Sequence, residues 1–279
     1  MTRLSNWNRV VLALLTLVLA AGNASAQHYT RTDLTADNSS VSNAPNIDPN
    51  LVNPWGLSRG TGSPWWVSDN GTSLSTLYDG SGVPQSLVVS IPAPDGNPGG
   101  TPTGTVFNYT TSFELSSGNP AFFLFSTEDG TISGWNPNVN LNSAVIKVNR
   151  SGSAVYKGIA IATTPSGPRL YASNFAAGSV DVFNGKFQKM GVAGGFLDPN
   201  LPANYAPFGI QNVGGSIVVT FAHRKPGSLD EDHGPGVGYV DVFDLNGKLV
   251  RRLQHGSYFN APWGIALAPG DFGTFSPAC

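Results

Sequence analysis

The sequence predicts an all-β chain, a β-propeller of four-stranded antiparallel blades, and three observations carry that prediction. First, a short phrase recurs: NPWGLS at 53–58, PTGTVFN at 102–108, YKGIAIA at 156–162, APFGIQN at 206–212 and APWGIALAP at 261–269. Its glycines, Gly56, Gly104, Gly158, Gly209 and Gly264, stand 48, 54, 51 and 55 residues apart. Self-similarity of this period marks units that bury their apolar faces only against neighbouring copies. Second, each phrase is followed by an apolar run, a polar turn and an alternating strand, as in WWVSDNGTSLSTLYDG (65–80) and RLYASNFAAGSVDVFNGK (169–186). Third, 34 Gly and 21 Pro in 279 residues suit many short strands joined by tight turns.

Within a unit the recurrent phrase is the first strand and the apolar run the second. The third strand ends on an aromatic residue, Tyr78, Trp135, Phe183 or Phe243. Asp79-Gly80, Asn184-Gly185 and Asn246-Gly247 then signal hairpin turns, because these residue types tolerate positive φ. A fourth strand follows, at Ser86 to Ile91 or Lys248 to Leu253. The units run over 53–100, 101–155, 156–205 and 206–260, giving four complete repeats. A fifth stops after its first strand at 261–269, and the tail 270–279 has no room for the rest, so an incomplete (open) ring is expected. In the segment 27–52, Tyr29 to Ala36 has the pattern of a ring-closing strand. An unclosed ring would leave blade edges open to self-association.

The first 26 residues have the form of a secretory signal. Arg3 and Arg9 precede the apolar run Val10 to Ala21, and Ala24-Ser25-Ala26 offers a small-residue cleavage site. That run is shorter than the roughly 20 residues a membrane span needs. A secreted chain, periplasmic or extracellular, beginning near Gln27 is therefore expected. It would carry 13 basic and 17 acidic residues. No basic cluster exists to track a phosphate backbone, which argues against nucleic acid as a partner. The single cysteine, Cys279, is the last residue, so no internal disulfide can form.

NPWGLS, WWVSDNGTSLSTLYDG, FSTEDGTISGWNP, YAPFGIQN, GYVDVFDLNGKLVRRL and NAPWGIALAP together resemble one family. It comprises exported bacterial NHL-like β-propeller proteins of unassigned function, some with PEP-type C-terminal sorting tails. The resemblance spans about Tyr29 to Phe275 and implies a propeller fold and export, but no reaction. Family members continue with further blades, so it also implies that this chain is truncated at its C-terminus; no sorting tail is present.

Metalloprotease and nucleotide signatures are missing: no His-Glu-x-x-His or phosphate loop occurs. Gly234-Pro-Gly-Val-Gly238 precedes a strand, so no helix N-terminus could hold a pyrophosphate there. Blade geometry instead directs attention to one face of the disc, where the second turn of each blade and the start of its first strand converge on the axis. Asn53, Asp69, Asn70, Glu128, Asp129, Lys157, Asn174, His223 and Asn260 are expected there. Oxygen-rich groups converging from several blades would suit Ca²⁺, which could act as a Lewis acid in a lactonase-like hydrolase. Asp-Asn-Gly and Glu-Asp-Gly are equally ordinary turn sequences. The insert 223–236 adds His223, Asp230, Glu231, Asp232 and His233 as loop metal candidates, read otherwise as a solvated loop able to act as a lid. Trp55, Phe208 and Trp263 occupy one repeated position and read as packing between blades, whereas Asp181 and Asp241 read as outward-facing. The leading expectation is thus a ligand- or partner-binding scaffold taking a small molecule, glycan or protein at the axial face. A Ca²⁺-dependent hydrolase and a non-functional truncated remnant are the alternatives.

Overall fold

The structure, a computed structural model, describes residues 30–40 and 42–273. The signal segment and Cys279 lie outside these. Two units are distinguished. The smaller comprises 1–32 and 267–279; its described part includes a turn in which the Phe272 N–H donates to the Pro269 carbonyl. The larger, 33–266, holds all the strands.

It opens with β1 (Thr35–Ala36) and β2 (Asn46–Ile47), paired in parallel. Four blades follow. The first is β3 (Pro54–Ser58), β4 (Trp65–Asp69), β5 (Leu74–Tyr78) and β6 (Val89–Ser90). In the second, β7 (Pro102–Phe107) is separated by a hairpin, β8 (Glu114–Ser116) and β9 (Asn119–Pro120), from β10 (Phe123–Thr127), β11 (Thr131–Trp135) and β12 (Val145–Asn149). The third is β13 (Tyr156–Thr164), β14 (Gly167–Asn174), β15 (Ser179–Asn184) and β16 (Lys189–Met190). The fourth is β17 (Tyr205–Val213), β18 (Ser216–His223), β19 (Tyr239–Phe243) and β20 (Leu249–Arg252). Every blade is antiparallel with strands in chain order, and the four form a four-bladed β-propeller.

The recurrent glycine has a direct physical cause. A Cβ on Gly56 would stand 2.5 Å from the backbone N of Thr105, and one on Gly104 the same distance from that of Ile159. The innermost strands β3 on β7 and β7 on β13 therefore approach backbone to backbone, which only a residue without a side chain permits, while at Gly158 the nearest atoms across to β17 would stand 3.3 Å from a Cβ. Gly209 faces the carbonyl of Trp263 in the same way, whereas a Cβ on Gly264 would meet nothing.

Apolar clusters fill the spaces between adjacent blades. Trp66, Leu77, Phe123 and Phe125 pack between the first and second, with Trp66 stacked on Phe123 at 4.3 Å. Phe113, Tyr156, Ile159 and Phe183 pack between the second and third; Tyr171, Val182, Ile210 and Phe243 pack between the third and fourth. A middle blade is thus covered on both faces. That corrects the outward placement of Asp181, on the third blade; Asp241, on the fourth, is not outward-facing either, and the two are 2% and 0% exposed. Asp181 accepts hydrogen bonds from the Tyr156 hydroxyl (2.9 Å) and Lys189 Nζ (2.6 Å). Asp241 accepts from Arg252 Nε at 3.1 Å.

Two further expectations change. No strand forms over 261–269; the segment follows a bridge between Val237 and Asn260, and the Ala261 N–H donates to the Val237 carbonyl at 2.6 Å. The described part of the proposed ring-closing strand also joins no blade. It pairs with β2, and Thr35 Oγ1 donates to Gly82 O (2.5 Å) in the outer turn of the first blade.

Candidate functional site

The N-terminal ends of the innermost strands converge on Lys157, the second residue of β13. Its ammonium contacts Glu128 Oε1 at 2.6 Å, although the side chain is only 2% exposed. Glu128 sits in the turn after β10, and its Oε2 accepts a hydrogen bond from Asn70 Nδ2 at 2.9 Å, tying the first blade to the second. Asn70 in turn accepts from Asn53 Nδ2 (3.2 Å). Asn53 has φ 50°, a left-handed turn that Asn tolerates, and accepts from Trp55 Nε1 at 3.3 Å.

Aromatic rings wall this ammonium. Trp55 and Phe175 have their centroids 5.3 and 5.6 Å from Nζ, within cation–π range. Phe208 and Trp263 lie edge-on to Trp55 at 6.0 and 5.5 Å, and Trp263 Nε1 donates to the Lys157 carbonyl at 2.7 Å. Trp55, Phe208 and Trp263, read from sequence as packing residues, therefore also build the wall of the axial cluster.

The insert 223–236 lies over this end. Glu231 Oε2 and Asp230 Oδ1 stand 3.5 and 3.9 Å from Lys157 Nζ. The loop is pinned at its base by Arg224, whose guanidinium donates to the Phe175 carbonyl at 2.7 and 3.0 Å. Gly234 N–H donates to Asn260 Oδ1 at 2.8 Å, and His223 Nδ1 is 3.6 Å from Asp232 Oδ2. His233 joins the cluster only through its backbone, its N–H donating to the Asp232 carboxylate.

The remaining candidates turn into their own blades. Asp129 accepts from the Thr101 N–H and hydroxyl at 2.6 and 2.8 Å. Asn174 is fully buried, donating to Asp181 and accepting from Val155 N–H. Asp69 accepts from the Thr76 N–H and hydroxyl at 3.0 and 2.7 Å, while its Oδ1 is buried without a partner. Burial pushes its pKa up to about 7; the Thr76 hydrogen bonds oppose the shift and nearby Asp48 adds to it. Asp241 is likewise pushed up to about 7 by burial and by its hydrogen bond with Asp198, against the pull of Arg252.

The chemistry follows from this arrangement. Three carboxylates, Glu128, Glu231 and Asp230, surround one ammonium, so the cluster carries excess negative charge at a mouth edged by indole rings. These donors as they stand do not make a Ca²⁺ cage, because Lys157 Nζ fills the point on which they converge. Among the described residues no three His, Cys, Asp or Glu side chains group as metal ligands.

A four-bladed propeller whose axis is plugged by its own ion pairs is the class of protein that fold and site define. No protein-family model matches the chain. It is 33% identical over 244 residues to uncharacterized protein L690 of Acanthamoeba polyphaga mimivirus, covering 82% of this chain and 63% of that protein. Protein R648 of the same virus is 31% identical over 243 residues, covering 82% and 58%. The chain thus spans about 60% of the length of these relatives. Among solved structures, similarity extends to Pseudomonas aeruginosa periplasmic gluconolactonase, at TM-score 0.44 and 16% identity over 76% of this chain and 59% of that one. Staphylococcus aureus virginiamycin B lyase gives TM-score 0.42 and 13% identity over 73% and 59%.

Proposed function

We propose that this protein is an exported binding propeller that takes a ligand or partner at the Lys157 end of its axis, with the loop 223–236 as the lid. The observation that carries the reading is the buried ammonium of Lys157, shared between Glu128 of the ring and Glu231 of the lid. An ion pair joining a loop to the axis can open by exchanging one partner for a ligand group. The excess of carboxylates favours a cationic small molecule or a basic partner surface. Trp55 and Trp263 supply flat apolar area for its body. A thermal-shift screen of amines, amino sugars and basic peptides tests this. Hits should stabilise the wild type and lose that effect in Glu231→Gln and Glu128→Gln. Hits indifferent to both substitutions would remove the axial reading.

A rival reading, a Ca²⁺-dependent lactonase-like hydrolase, draws on the oxygen donors of Asn70, Glu128 and Glu231, but requires Lys157 to swing out. Calorimetric titration with Ca²⁺ separates the two: saturable binding that Glu128→Gln abolishes would favour the ion. Sequencing the mature N-terminus tests export, which predicts a start at Gln27.

A further inference from the structure

The innermost strands also end at a second mouth. Ile161 lies four residues beyond Lys157 on β13, ~13 Å farther along the strand at ~3.3 Å per residue. There the ends of β3, β7, β13 and β17 surround a cavity of about 240 Å³. Its floor is apolar and built from small or branched side chains, the buried Val106, Ala160 and Ile161. Its rim includes Ser58 from the first blade, Tyr109 from the second and Gln211 from the fourth.

This mouth holds no charge. No acidic side chain lines it. The one basic residue in its wall, Arg59, carries its guanidinium onto Trp65, 5.1 Å from the ring centroid, in a separate pocket that Asp79 and Gln85 also line. A charged ligand would lose hydration here and meet no counter-charge. Hydrogen-bonding groups are nevertheless left over. Ser58 Oγ accepts the Phe107 N–H at 2.9 Å, so its own hydrogen remains to be donated. The exposed amide of Gln211 makes no hydrogen bond to the described residues, which leaves both a donor and an acceptor. The neighbouring Asn212 is already committed, donating to the Ile161 carbonyl and accepting from Gly215 N–H. Phe107 is committed as well, packed on Phe123 with ring centroids 5.4 Å apart, so Tyr109 is the free ring. It is 55% exposed, and its hydroxyl stands 3.4 Å from Thr163 Oγ1 near the end of β13, reaching across from the second blade to the third.

We propose that this second mouth binds an uncharged acetamido sugar, a single pyranose ring bearing an N-acetylated amine. The acetyl methyl enters the apolar floor. Its carbonyl accepts from the Ser58 hydroxyl and its N–H donates to the Gln211 amide oxygen, so one ligand amide uses both leftover groups. The C–H face of the sugar ring lies on Tyr109, whose ring is apolar and whose hydroxyl is wet. Size supports a single ring, since drug-sized sites run to roughly 300–1,000 Å³. This inference does not depend on the axial-lid reading, which calls for a cation at the opposite end.

The test titrates the full chain with methyl N-acetyl-β-glucosaminide, followed by saturation-transfer NMR. Methyl glucosaminide (a cation at neutral pH) and methyl glucoside serve as contrasts. Saturable binding of the acetylated sugar is expected, with its acetyl methyl protons the most strongly saturated. Gln211→Ala should weaken it about fivefold, as loss of one neutral hydrogen bond implies, and Tyr109→Ala several-fold. Both contrast sugars should bind about tenfold more weakly than the acetylated one. Gln211 and Tyr109 are exposed, so each variant should keep the wild-type melting temperature. Failure of the acetylated sugar to saturate a folded wild-type sample would overturn the proposal. Equal affinity in wild type and Gln211→Ala, or a deacetylated sugar that binds as tightly, would overturn it too.

Discussion

The two ends of the propeller axis are built from the same four strands and yet finish in opposite ways. At their N-terminal ends the ring plugs itself: Lys157 is held by Glu128, roofed by Glu231 and walled by Trp55 and Phe175. At their C-terminal ends the strands stop around an open cavity lined by Ser58, Arg59, Tyr109 and Gln211, with no acidic side chain. The backbone does not make this difference. It arises from which side chains stand at the strand ends and from the single long insert, 223–236, which reaches back over only one of them. A repeated scaffold therefore supplies two mouths, and local side chains decide which is closed.

The comparison assumes that both mouths share one rigid hub. Gly104→Val should break that hub and both ends with it, since the new side chain would drive into the backbone of Ile159. We expect a loss of about 3 kcal/mol or more, visible as failure to melt cooperatively. Gly264→Ala serves as the contrast, because nothing lies near that Cβ position, and should change stability by less than about 0.5 kcal/mol.

Acidity tests the blades rather than the mouths. Asp69 and Asp241 have folded pKa values raised to about 7, against an ordinary aspartate value of 3.8. The fold therefore prefers their neutral forms. Stability should be greatest below about pH 4, fall as pH rises towards 7, and level off above it. A shift of this size corresponds to at most about 4 kcal/mol for one group, and a net effect of about 2 kcal/mol is expected. Melting temperatures between pH 4 and 8 check the slope, which Asp69→Asn should flatten. A stability that rose over that range would contradict the assignment.

Lys157→Met sharpens the contrast at the closed end. Removing the ammonium leaves Glu128 and Glu231 facing one another, at a cost of about 2 kcal/mol. That is less than for a fully buried pair, because both acids keep some contact with water. Faster amide exchange across 224–236 should accompany it. The smallest effect belongs to the open end: Arg59→Gln, which breaks no ion pair, should alter stability by no more than about 0.5 kcal/mol.

Much of the architecture was legible in the chain. The glycine phrase located all four innermost strands, and the aromatic residues closing each third strand are buried as their repetition suggested. The site was legible only in part. Asn53, Asn70, Glu128 and Lys157 do meet, because a strand start and a neighbouring turn share one face. Asp69, Asp129 and Asn174 belong to the same turns but bond within the blade, and nothing in Asp-Asn-Gly distinguishes the residue that turns inward from the one that does not. Asp181 and Asp241 are buried for different reasons. Alternation along a strand implies one wet face, and a blade lying between two others, as that of Asp181 does, has none; Asp241, on the last blade, is covered by Asp198 and Arg252. The far end of the axis was legible in position but not in chemistry: Ser58, Val106, Ala160 and Gln211 each stand two residues after a repeat glycine, yet two are polar and two apolar.

The amino-acid sequence by itself determined the repeat, the strand order within each blade and the glycines on which the hub closes. These follow from local periodicity and from where a side chain is absent. Only the tertiary structure decided which acids face water, which ammonium fills the axis and which end stays open. Those outcomes depend on groups contributed by blades some fifty residues apart, whose contacts exist only once the ring has formed.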